Sequence, residues 1–154
     1  MYKRILVPLD GSHLSESIIP FMEQIAGPLD LEVILFTVVP LPAAQSVLQS
    51  GIVFPEDLEI HKSRAKAGLA PLGAKLETKG FRVRILVTVT PPGEIAEEIC
   101  RVAAQEGADL IAMSTHGRGG LGRLMFGSVT EEVVRNAPLP VLMIRMAEAS
   151  VAVA

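Results

Sequence analysis

A chain of 154 residues with 49% apolar and only 4% aromatic side chains has the length for one domain built on a single aliphatic core. Its net charge of −3, from 17 acids and 14 bases interspersed, argues against a protein devoted to nucleic acid, which would carry a basic stripe. One cysteine, Cys100, leaves no internal disulfide framework and no cysteine-built zinc site, fits a reducing cytoplasmic setting, and reads as a packing residue of a helix; no run reaches the roughly 18 apolar residues of a membrane span.

The chain opens with RILVPL (4–9), a short apolar run closed by Asp10-Gly11-Ser12, which predicts a buried strand. Ser12 or Ser15 can cap the segment that follows, in which Ile18, Ile19, Met22, Ile25 and Ala26 recur at helical spacing, with Pro20 early enough to sit in the first turn or to bend the helix slightly. LEVILFTVV (31–39) is a second strand, apolar enough to be buried on both faces. Residues 41–54 form a long connection too apolar to be freely solvated, suited to folding over a site or against a partner. From Pro55 to Gly80 the start and stop signals are helical, and Gly68, Pro71 and Gly73 predict a kink or break near Ala67–Pro71. FRVRILVTV (81–89) is the third strand, residues 91–107 hold the third helix, and ADLIAMS (108–114) is the fourth strand. A glycine-rich crossing leads to a helix over Ser128–Asn136 and a fifth strand, LPVLMIR (139–145). Apolar strands alternating with helices predict a parallel sheet covered on both faces, a doubly wound α/β domain without repeats or a second domain.

In such a sheet, ligands sit beyond the carboxyl ends of the strands, where strand order reverses. Two carboxyl-end segments are polar and glycine-bearing: LDGSHLS after the first strand and STHGRGGLG after the fourth. If those strands are neighbours, Asp10 faces a loop rich in amides and hydroxyls, an arrangement suited to a nucleotide. Gly117, Gly119 and Gly122 match G-x-G-x-x-G by spacing, but a dinucleotide fingerprint belongs to the first strand–helix turn and needs an acid about 20 residues on, where Asn136, Ala137 and Pro138 stand instead. The lysine of a P-loop is absent before Ser128. Two readings remain for the far end of the loop. Gly127-Ser128 can open a helix whose first amides take phosphate. Alternatively, Ser128 and Glu131 can form a capping box that satisfies those same amides.

ILVPLDGS near the start, GADLIAMSTHGRGGLGRLMFGSVTEEVVRNAPLPVLMIR near the end, and the alternation between them together resemble the universal stress protein family over essentially the whole chain. The resemblance implies a five-stranded, Rossmann-like sheet of order 3-2-1-4-5, akin to the adenine-nucleotide alpha hydrolases, over residues 1–146, with 147–154 as a tail. It also implies a stress-response role and homodimers that pair their last strands. The ATP-binding branch of the family carries G-2x-G-9x-G-[ST]. Here Gly117 and Gly127-Ser128 match it, with nine residues between them, while Ser114 stands where the first glycine belongs. By resemblance, Pro8, Leu9 and Asp10 line the adenine–ribose side, and Val38 meets adenine through its backbone. Met113, Ser114, Thr115, His116, Gly117 and Arg118 surround ribose and phosphate. Gly127, Ser128, Val129 and Thr130 hold the phosphates of ATP with Mg2+.

No catalytic constellation emerges. His13, His61 and His116 lack metal-ligand spacing, no G-x-S-x-G elbow occurs, and no residue stands as a water-activating base, so slow ATP hydrolysis is the most enzymatic behaviour the sequence suggests. The leading expectation is a dimeric, ATP-binding sensor with no membrane or nucleic-acid partner. The alternatives are an interaction protein of the same fold that binds no nucleotide, and a binder of AMP or cyclic AMP.

Overall fold

The computed structural model describes residues 1–41, 55–115 and 127–145, with the side chains of 55 and 56 excepted. Five strands, β1 (Arg4–Pro8), β2 (Glu32–Pro40), β3 (Arg82–Thr90), β4 (Leu110–Ser114) and β5 (Val141–Ile144), form one sheet of order β3-β2-β1-β4-β5. Every pairing is parallel. The order reverses between β1 and β4, as the resemblance implies.

Helices cover both faces because alternate strand residues point to opposite sides. On one side Ile5, Val7, Val33, Leu35 and Ala112 pack against α2 (Ile19–Ala26) and α3 (Pro55–Thr78). On the other, Leu6, Ile34, Phe36, Ile111 and Met113 pack against α4 (Ile95–Gln105) and α5 (Ser128–Asn136). The central strands carry apolar side chains on both faces and are almost fully buried, which explains their continuous apolar runs.

The segment after β1 folds as two helical pieces. A single turn, α1 (His13–Glu16), is capped by Ser12, whose hydroxyl accepts from the Ser15 amide at 3.1 Å. Helix α2 then begins with Pro20 in its first turn, where a missing N–H costs nothing.

The break expected near Ala67–Pro71 does not occur: α3 is a single 24-residue helix with Pro71 inside it. Leu69, Gly73 and Leu76 are buried and Leu72 is half-buried, so one stripe of this helix is held down on the sheet. Pro71 lies on the opposite, exposed side. The carbonyl that loses its partner there belongs to Ala67, which is also exposed, so water can satisfy it.

At the amino pole, beneath the end of α4, charges brace the sheet. Glu32 accepts from Arg4 Nε at 2.8 Å and from Arg84 Nε at 2.7 Å. Arg84 also reaches Glu106 at 3.0 Å, and Arg4 caps the helix end through the Glu106 carbonyl at 3.0 Å. Burial would push the Glu32 carboxyl up, but the two guanidiniums outweigh it and hold the group below its ordinary range. Asp109 accepts from the Lys3 and Arg4 amides at 2.6 and 3.0 Å, and these bonds lower its carboxyl in turn.

Candidate functional site

The geometry of the carboxyl pole follows from where each strand stops. β1 ends at Pro8, paired with Phe36, and the Leu9 amide donates to the Phe36 carbonyl at 2.7 Å. β2 runs four residues further, to Pro40. Backbone groups along a strand alternate sides with period two. Val38 therefore turns its N–H and C=O the same way as Phe36, out over the end of β1. Its side chain packs in the α4/α5 layer with Met113 and Val129.

Past β1 the chain makes a tight turn at Gly11, whose φ of +78° suits glycine. Asp10 is exposed at this turn. Its Oδ1 accepts from the Ser12 amide at 2.9 Å and from the Ser12 hydroxyl at 2.5 Å. The buried Ser15 hydroxyl donates to the Ser12 carbonyl at 2.9 Å and accepts from the Asp10 amide at 3.3 Å. The acid is thus held by a small local network that sequence reading gave only a helix-capping role. The D-G-S-x-x-S spacing carried the signal, since aspartate and serine side chains bond backbone two or three residues on. Leu9 turns its side chain into the α2/α3 core, which leaves its backbone, with Pro8, beside the crevice.

Across the switch, β4 ends at Ser114, paired with Ile144. Among the described residues Asp30 is the one non-glycine with positive φ, so Ser114 stands in an ordinary strand conformation. The motif glycine it replaces is therefore not needed here for backbone freedom. Thr115 follows, buried; its amide donates to the Ile144 carbonyl at 3.0 Å and its carbonyl accepts from the Gly127 amide at 3.1 Å. His116, Gly117 and Arg118 fall outside the described residues, as does the connection 42–54.

Helix α5 begins at Ser128 with Gly127 as its cap residue, and among the described residues no side chain caps its first turn. The capping box does not form: Ser128 is the first helical residue, one position too far along, and Glu131 pairs with Arg135 at 2.8 Å. The helix's own ladder starts with the Glu131 amide donating to the Gly127 carbonyl at 3.0 Å. The amides of Ser128, Val129 and Thr130 precede it and point out of the helix start, where the macrodipole favours an anion. Thr130 is buried, and its hydroxyl donates inward to the Ser114 carbonyl at 3.4 Å. Its side chain thus ties the helix to β4, and what it presents outward is its amide. Ser128 is exposed at the same helix start.

The structure therefore brings Pro8, Leu9 and Asp10, Val38, Met113 to Thr115, and Gly127 to Thr130 to one pole, on the ends of β1, β2 and β4 and the start of α5. The chemistry there is that of binding: a carboxylate on one bank, a row of donors on the other, an apolar wall below. Cys100 lies half-buried in α4, its thiol pushed up by burial and by the nearby Glu132 and Glu97 carboxylates, which suits packing rather than nucleophilic work. Among the described residues no group of three acidic, histidine or cysteine side chains is placed to hold a metal, and no helix is long and apolar enough to cross a membrane.

The sequence profile of the universal stress protein family matches residues 1–145. Universal stress protein MJ0577 of Methanocaldococcus jannaschii is 30% identical over 158 aligned positions, spanning 94% of this chain and 96% of its own. A solved structure of MJ0577 superposes with a TM-score of 0.81 at 32% identity, over 97% of this chain and 99% of that one. Two more distant structures are nucleotide complexes. A universal stress protein with cAMP bound is 21% identical with a TM-score of 0.64, over 95% of this chain and 98% of that one. The Archaeoglobus fulgidus protein with dAMP is 23% identical with a TM-score of 0.63, over 93% of this chain and 98% of that one.

Proposed function

The chain belongs to the universal stress protein family, and from that premise we propose that it binds ATP with Mg2+ at the carboxyl pole and acts in the cytoplasm as a homodimeric stress-response sensor. The observation that carries the reading is the uncapped first turn of α5, tied to β4 and lying across the β1/β4 switch from Asp10. An anion there receives amides that no described side chain caps. Adenine rests against the backbone of Val38 and the apolar wall of Val38, Met113 and Val129. Asp10 takes the ribose hydroxyls, and Ser128 with the α5 amides takes the phosphates. Mg2+ is the companion of the triphosphate and neutralises its charge. The adenine nucleotides bound by two family members support the ligand class.

Residues 1–146 make up the domain, with 147–154 as its tail, and dimerisation uses β5, an edge strand whose four residues are half-buried. Nucleotide occupancy sets the state that a downstream protein reads.

The chain has no tryptophan and one tyrosine, so a bound adenine dominates its near-ultraviolet absorbance. Purified protein is expected to show excess absorbance near 260 nm that dialysis removes, and Mg-ATP at about a hundredfold over its dissociation constant should stabilise it by about 2.7 kcal/mol. Absence of any thermal shift with Mg-ATP overturns the reading. A shift with AMP or cyclic AMP but none with ATP would replace it by the monophosphate alternative.

A further inference from the structure

At the amino pole, opposite the nucleotide site, Tyr2, Ile25, Leu29, Leu110, Val141 and Leu142 wall an apolar depression of about 250 Å3. Tyr2 and Leu29 at its rim are each 47% exposed. The depression reaches the edge of the sheet at Val141 and Leu142, and beyond them Ile144 also lies only partly buried. A strand edge left unpaired beside it offers backbone groups to a second chain.

We propose that this depression receives residues 146–154 of a second copy of the chain, which extends across a two-fold β5–β5 pairing. The inference rests on the dimer reading above. The chain leaves β5 at Arg145, at the carboxyl pole, whereas the depression lies at the other end of the strand. To fill its own depression, the segment MAEASVAVA would have to reverse at once, yet its first four residues include no turn-favouring type, and Ser150 comes only fifth. A second copy needs no reversal. Antiparallel pairing of the two edge strands carries the partner's chain straight past Val141 toward the depression. Nine extended residues reach roughly 30 Å, and the four residues of β5 span about 13 Å, so the length suffices. Val151 and Val153, spaced by alanine, supply small apolar side chains that match the lining. The two-fold axis makes the exchange mutual, each copy filling the other.

Tyr2 is the chain's sole tyrosine, so intrinsic fluorescence reports on the rim of the depression alone. The test compares the full chain with a 1–145 truncation and with full-length Leu29→Glu, using light scattering over a dilution series together with Tyr2 emission and anisotropy. Truncation is expected to raise the dimer dissociation constant at least tenfold and to expose Tyr2. Leu29→Glu should reproduce both effects and add nothing to the truncated chain. Equal dimer affinity and unchanged Tyr2 signals after truncation overturn the inference while leaving the dimer intact. A Tyr2 change on truncation that is independent of protein concentration also overturns it, since the tail would then be docking on its own chain. A full chain that stays monomeric at tens of micromolar removes the dimer reading itself and the inference with it.

Discussion

Replacing Gly127 by aspartate should move stability and ligand affinity in opposite directions. Gly127 caps α5 with φ −54° and ψ 144°, a conformation open to any L residue, so a side chain enters without backbone strain. Among the described residues no side chain caps this turn. An aspartate there can accept from the Val129 or Thr130 amide, a gain of a few tenths of a kcal/mol over glycine. Its charge at the positive end of the helix adds about 0.3–1 kcal/mol. The ligand-free variant should therefore be more stable by roughly 0.5–1.5 kcal/mol, which for a domain of this size raises the melting temperature by about 1–6 °C. The same carboxylate takes the donors proposed for phosphate and sets a negative charge beside it, a repulsion of up to about 4 kcal/mol at near-surface permittivity. A loss of at least about a hundredfold in ATP affinity follows. At an ATP concentration about a hundred times the wild-type dissociation constant, wild type should gain about 2.7 kcal/mol and the variant about 0.4 kcal/mol. Differential scanning calorimetry with and without Mg-ATP reads both quantities. Gly127→Asn separates capping from charge, because it offers the cap oxygen without the repulsion. A Gly127→Asp protein that retains the wild-type thermal shift refutes the α5 cradle, and one whose ligand-free form melts lower refutes the description of the turn as uncapped.

Two further outcomes probe the frame around the site. Glu32→Gln removes the anion shared by Arg4 and Arg84 and should cost about 1–2 kcal/mol in urea unfolding, a figure kept modest because both arginines are about 40% exposed and can rehydrate. Because the folded-state Glu32 carboxyl sits below its ordinary value of 4.5, wild type should keep this stabilisation above pH 4.5 and lose it as the pH falls through the depressed value. An acid-unfolding profile identical in wild type and Glu32→Gln would show that the brace carries no weight. Gly68→Ala lies inside α3, where an added Cβ meets nothing within 4 Å beyond the neighbouring backbone of the helix itself, so it should stabilise the protein by about 1 kcal/mol. Unchanged or lower stability by calorimetry would mean that the helix is not continuous there in solution.

The strands were legible because each central one is buried on both faces, so its apolar run is continuous and closed by turn residues. Helix α5 was legible to its end residues, since Gly-Ser before it and Ala-Pro after it are local signals. The continuity of α3 was not. Gly68 and Pro71 each weaken a helix locally, and what overrides them is the contact of Leu69, Leu72 and Leu76 with the sheet, which no short window contains. At the site, Asp10 and the Gly127-Ser128 step stood out as polar residues at strand and helix ends. The inward turn of Thr130 did not, because a threonine serves a core and a ligand equally well and only the position of the Ser114 carbonyl decides. The same holds for Glu131: its spacing from Ser128 fits a capping box, but Gly127 takes the cap and Arg135 takes the carboxylate.

The carboxylate of Asp109, by holding the amides of Lys3 and Arg4, fixes where anything joined ahead of Met1 must emerge. That exit lies beside Tyr2 and the amino-pole depression, on the far side of the sheet from Asp10 and α5. An affinity tag fused there leaves the proposed nucleotide site alone but crowds the proposed contact between copies, and one fused after the last residue burdens the segment proposed to cross between them. Cleavable tags at either end, removed before oligomeric state is measured, are therefore a requirement set by the architecture.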